Sequence, residues 1–117
     1  MIEIIVKNYL DSVLQVPVKT EREDDPPRKY VLIERTGESV SNLVRTATIA
    51  IQAYAGTRMQ GGSMYEAAEL MEEVIAAMDG LRTVDEVSGV YLNTSYNYTD
   101  PSTKVYRYQA VYQITYY

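Results

Sequence analysis

The chain contains no cysteine, no histidine, no tryptophan and no phenylalanine. Without cysteine there is no disulfide, no thiolate nucleophile and no thiolate-held metal. Without histidine the usual general base at neutral pH and the commonest metal ligand are both missing. Basic residues are outnumbered: 11 Lys and Arg stand against 16 Asp and Glu, a formal net charge of -5 over 117 residues. A nucleic-acid binder normally carries a basic excess instead. No apolar run approaches the ~18 residues of a membrane span. Residues 1–10 carry Glu3 and Lys7 and lack the basic-then-apolar layout of a signal peptide. The sequence therefore predicts a cytosolic protein with no membrane partner, no cofactor, and no catalytic or metal-binding residues.

What is present reads as one α+β domain spanning residues 1–117. Ile2, Ile5, Val6, Tyr9, Leu10, Val13 and Leu14 recur at the spacing of one helical face, predicting a helix over 2–15. Val16-Pro17 must leave that helix, since a residue preceding proline is pushed to extended geometry, and 18–23 suit a short edge strand. Residues 30–35 and 43–54 read as two strands joined through Gly37-Glu38-Ser39. Ile49, Ile51 and Ala53 share one side of the second, whereas Arg45 has their parity and implies a sheet margin or a bulge. Ser63-x-x-Glu66 is a capping box opening a helix. Ala67, Met71, Val74, Met78 and Leu81 supply its apolar stripe, and Gly80 is placed as a left-handed stop. Residues 87–98 and 104–117 form a hairpin around 99–102, with Tyr106, Tyr108, Ala110, Tyr112, Ile114 and Tyr116 on one side. The expected architecture is a mostly antiparallel β-sheet of about four strands with two helices packed on one face.

Three constellations carry chemical interest. Residues 56–63 nearly spell the phosphate-binding loop G-x-x-x-x-G-K-[ST], but Gly62 stands at the lysine position and no cation reaches a terminal phosphate. Glu69 and Glu73 lie one helical turn apart and suit either a shared divalent ion or a solvated acidic surface; their place off the apolar stripe favours the latter. The acidic stretch Glu23-Asp24-Asp25, closed by Pro26-Pro27, reads as a solvated loop. The twelve tyrosines are the third constellation, concentrated between Tyr91 and Tyr117. A tyrosine has an apolar body and a polar tip, which suits partly wet strands and interfaces. Tyr96 and Tyr98 beside the hairpin turn, and Tyr116 and Tyr117 at its end, exceed what a small core hides and point to protein partners.

In the order of its elements the chain resembles the tail terminator (tail completion, head–tail joining) proteins of long-tailed bacteriophages. The stretches that carry this are Pro27-Arg28-Lys29-Tyr30-Val31-Leu32-Ile33-Glu34-Arg35-Thr36-Gly37, Ala47-Thr48-Ile49-Ala50-Ile51-Gln52-Ala53-Tyr54-Ala55, the helix 66–81, and Lys104-Val105-Tyr106-Arg107-Tyr108-Gln109-Ala110-Val111-Tyr112. The resemblance implies a non-enzymatic subunit of a homo-oligomeric, usually hexameric, ring. Such a ring caps the tail tube, ends its polymerisation and presents a surface to the head connector. Its partners would be copies of itself, the tail tube protein and the head connector or neck protein. DNA would pass through without specific binding, and the location would be the virion after assembly in the host cytoplasm. Two other readings remain open: a head-side neck protein, and a small carboxylate-dependent metal-binding protein or enzyme using Glu69 and Glu73.

A ring is built from heterologous contacts, so two different patches of one subunit must match. The interface candidates are the acidic loop Glu23-Asp24-Asp25 with Glu69 and Glu73 on the acidic side, Arg35, Arg45, Arg58 and Arg107 on the basic side, and Tyr96, Tyr98, Tyr116 and Tyr117.

Overall fold

The computed structural model describes residues 1–117, the side chain of Arg58 excepted. The elements run α1 (Ile2–Val13), β1 (Val18–Lys19), β2 (Lys29–Ser41), β3 (Val44–Thr57), α2 (Met64–Met78), β4 (Val87–Asn97) and β5 (Val105–Tyr116). Short 3-10 turns occupy Arg58–Gln60 and Asp79–Thr83. The strands form one five-stranded sheet in the order β1-β2-β3-β5-β4. β1 pairs with β2 in parallel and every other pairing is antiparallel. The fold is thus α+β with a mixed sheet of five strands, against an expected count of about four besides the short edge strand that residues 18–23 suit. That edge strand is only the two-residue β1, fixed where the Val31 amide donates to the Pro17 carbonyl at 2.9 Å.

One side of the sheet carries the main core. Val31 and Ile33 of β2, Ala47, Ile49, Ile51 and Ala53 of β3, and Ala110, Tyr112, Ile114 and Tyr116 of β5 pack against Ile2, Val6 and Leu10 of α1 and Leu70, Met71, Val74 and Met78 of α2. The period-two alternation of the strands meets the period-four stripe of each helix, which is what burial of a sheet under helices requires. Val13, expected on the buried stripe of α1, is half exposed, because the helix ends there as the chain turns towards Pro17.

The Ser63 hydroxyl accepts the Glu66 amide at 3.1 Å, giving α2 its N-cap. The reciprocal half of the capping box does not form: the Glu66 carboxylate receives Arg28 at 2.6 Å instead. That guanidinium holds the Glu66 carboxyl below its ordinary pKa. Ser63→Ala is therefore expected to cost about 1 kcal/mol in urea unfolding, the usual value of an N-cap oxygen.

Two turn residues act differently from their sequence reading. Gly37 lies inside β2, next to a bulge between Arg35 and Gly37, and the chain reverses five residues later at Asn42-Leu43. Asn42 and Leu43 have φ of 51° and 68°, and Ser41 pairs with Val44 across them. This is a two-residue hairpin with both central residues left-handed, a conformation that normally selects Asn-Gly. Gly80 is no left-handed stop either, since α2 runs directly into the 3-10 turn that contains it. A Cβ at Gly80 would overlap the Tyr9 hydroxyl, which donates to the Ala77 carbonyl at 2.6 Å and ties α1 to α2. Space selects glycine there.

Burial holds the Tyr112 phenol up at about 12, from an ordinary value of 10.0. The unfolded chain ionises first, so this contribution to stability is complete below pH 10 and is lost as pH rises through about 12. The urea midpoint is expected to fall across that window, and Tyr112→Phe to make the fall shallower.

Candidate functional site

The register sorts the candidate residues between the two sides of the sheet. Gln52 of β3 pairs with Gln109 of β5, which pairs with Tyr96 of β4. These residues, with Tyr30, Leu32 and Tyr54, belong to the side opposite the helices. Tyr30 and Tyr54 stack with ring centroids 4.5 Å apart and planes 4° from parallel. The Tyr54 hydroxyl accepts Arg22 and Arg107, each at 3.0 Å, and donates to the Gln52 side chain at 2.7 Å. Gln52 then donates to Gln109 at 2.8 Å, and Gln109 donates to the Tyr96 hydroxyl. A polar relay thereby crosses the sheet from the loop after β1 to the outer strand β4. Hydrogen bonding to Tyr54 raises the Arg22 pKa further, and burial beside Tyr54 raises that of Tyr30. The acidic loop folds over this end, where Asp24, Asp25, Pro26, Pro27, Tyr30 and Tyr54 line a cleft of about 270 Å³.

Several residues nominated from the sequence are engaged within the chain. Arg35 contacts Glu3 of α1 at 3.1 Å and Glu38 at 2.9 Å, so it fastens α1 to β2. Arg107 donates to the Tyr98 carbonyl at 2.7 Å, and its guanidinium lies 4.4 Å from the centroid of the Tyr98 ring. Tyr116, expected at the surface, is buried in the main core, and its hydroxyl donates to Glu38. Its even parity on β5 placed it there, with the alternation continuing to the last strand residue. The Arg58 side chain lies outside the described residues.

Glu69 and Glu73 are exposed on the outer side of α2. With Lys29, Glu72 and Ala76 they rim a shallow depression of about 370 Å³. Among the described residues, no three Asp or Glu side chains are grouped to hold a metal ion. In the loop resembling a phosphate-binding motif, the Thr57 amide donates to the Gln60 side chain at 2.9 Å and the Gly62 amide to the Thr57 carbonyl at 2.9 Å. Those donors are used internally. No helix is long and apolar enough to cross a membrane among the described residues.

The remaining candidates are open to solvent and fall in two places. Tyr96 on the outer strand and Tyr98 just beyond it stand edge to face at 5.8 Å, and exposed Tyr91 lies on the same side of the sheet. Leu92, paired with Tyr112, is exposed on the helix side. From Val87 to Asn97 this strand holds no charged residue and no proline, the usual means of blunting a sheet edge. That composition is the signal for Tyr91 and Leu92 that sequence reading passed over. The second place is the β2–β3 turn, where Arg45 is exposed beside Val40 and Leu43, which are 64% and 92% exposed. Leu43 gave no sequence signal because leucine is not a turn residue. Tyr117 is exposed at the end of β5. β4 closes one margin of the sheet and β1 the other, with β2 next to β1 and unpaired on that side beyond Leu32. The strip around Tyr96 and Tyr98 sits at the end of the sheet away from the β2–β3 turn. The molecule is elongated, 49 × 26 × 24 Å. The chain matches no protein-family model, and no curated protein is significantly similar to it in sequence.

Proposed function

We propose that this protein is a structural subunit of a bacteriophage tail, assembling with copies of itself into a hexameric ring that caps the tail tube and joins it to the head. The observation that carries the reading is the pair of exposed apolar patches at diagonally opposite corners of an elongated subunit. Two unlike patches let one subunit meet a neighbouring copy through one and another part of the tail through the other, whereas a two-fold dimer is served by one self-complementary patch. The resemblance to tail terminators supplies the setting. A subunit with a formal charge of -5 also suits a channel through which DNA must slide, because phosphate-binding side chains would hold it in place.

The test is removal of the coding gene from its phage, followed by electron microscopy of the lysate. Overlong tails are expected, because nothing then ends tube growth. Filled heads that leak DNA would assign the protein to the head-side neck instead, and normal virions would contradict a structural role. The strip Tyr91, Tyr96 and Tyr98 is the surface assigned to the tube or connector. Tyrosines in such a patch combine a large apolar area with little conformational entropy to lose.

A further inference from the structure

Leu43 combines a backbone conformation unfavourable to leucine with almost complete exposure. It occupies a left-handed position that selects glycine, and it is 92% exposed. A bulky residue held in such a conformation is a mark of function at the site. Nothing in its own subunit covers it, and Val40 across the turn extends the same apolar tip.

We propose that this tip docks into the groove between the end of α1 and the outer side of α2 on a second copy of the chain. The inference rests on the ring reading and specifies its contact. The groove has a volume of about 390 Å³ and is lined by Val13, Leu14, Gln15, Glu73, Ala76 and Ala77. Val13, Leu14, Ala76 and Ala77 supply its apolar share, and Val13 is itself half exposed. The charges agree. Arg45 sits two residues from Leu43, while Glu73 forms the rim of the groove and Glu69 lies one helical turn before it. A cation beside the apolar anchor thus meets an acidic rim, which fixes orientation as well as attraction.

The geometry makes the contact intermolecular. Glu3, at the start of α1, reaches Arg35, whereas Pro17, beyond its end, bonds Val31. α1 therefore runs away from the β2–β3 turn, leaving Val13 and Leu14 towards the other end of β2. A tip at one end and a groove towards the other generate a head-to-tail chain of subunits that closes into a ring if the rotation allows. Strand-to-strand pairing along β2 is the poorer route, because its free margin carries a bulge after Arg35 and the charges Glu34, Arg35 and Glu38.

The absence of cysteine gives a clean assay. Leu43→Cys combined with Ala76→Cys in the full-length chain is expected to yield a ladder of disulfide-linked oligomers on mild oxidation, and each single variant only monomer. Arg45→Glu added to the pair should cut the ladder yield roughly tenfold, and Glu73→Arg added to that should restore it. Cross-linking by Leu43→Cys alone would mean that tips meet tips, and would overturn the proposal. No cross-link in a chain whose unmodified form runs as a ring by mass would also overturn it, leaving the ring reading intact. No cross-link together with a monomeric unmodified chain would remove both.

Discussion

Tyr54→Phe is expected to destabilise the protein by about 2–3 kcal/mol although it removes a single oxygen. The ring stays buried and stacked on Tyr30, so the apolar contribution is unchanged. What disappears is the hydroxyl that accepts both Arg22 and Arg107 and donates to Gln52. Hydrogen bonds to charged groups contribute more than neutral ones, and a buried acceptor left without its donor carries its full desolvation cost. Gln52 is buried and so bears that cost, whereas exposed Arg22 returns to water. At this chain length the loss corresponds to a fall in Tm of roughly 8–12 °C. Arg22→Ala should cost less, and both variants should speed hydrogen exchange in the loop 20–28, which Arg22 ties to the sheet. A Tyr54→Phe protein as stable as the parent would show that the relay is ornamental.

Gly62→Ala is expected to be the more damaging change, about 3 kcal/mol or more. A Cβ there would overlap the Ala55 carbonyl oxygen and crowd Gly56 and Thr57, all of them backbone atoms with no rotamer by which to yield. The neighbouring Gly61→Ala separates space from conformation. Gly61 has a φ of +76° but open surroundings, so alanine there pays only for a left-handed backbone, about 1 kcal/mol. Urea midpoints of the two variants test this directly. Equal losses would mean that the loop relaxes and the contact with β3 is not fixed. The glycines that make 56–63 look like a phosphate-binding loop are, on this reading, a packing device between the end of β3 and the start of α2.

The parts of the fold that were legible in the sequence are those set by local periodicity. Ala67, Met71, Val74, Met78 and Leu81 repeat at helical spacing and are buried. Ala110, Tyr112 and Ile114 alternate along β5 and are buried too. The parts that were not legible depend on contacts distant in the chain. Gly37-Glu38-Ser39 has the composition of a turn, yet the reversal falls at Asn42-Leu43, where the pairing of Ser41 with Val44 overrides leucine's preference. Gly80 looks like a helix stop and instead makes room for Tyr9, some seventy residues earlier. Arg35 and Arg107 look like free surface cations, but their partners Glu3 and Tyr54 are brought to them only by the completed sheet. A residue's type gives its chemistry, and only the register decides whether that chemistry is spent inside the chain or offered to a neighbour.

Offering it to neighbouring copies is the central point, and native mass spectrometry of the unmodified chain across a concentration series tests it most directly. The expected spectrum is dominated by one closed assembly, six copies by resemblance to tail terminators, with monomer receding as concentration rises. A two-fold dimer as the terminal species, or monomer alone up to the solubility limit, would contradict it.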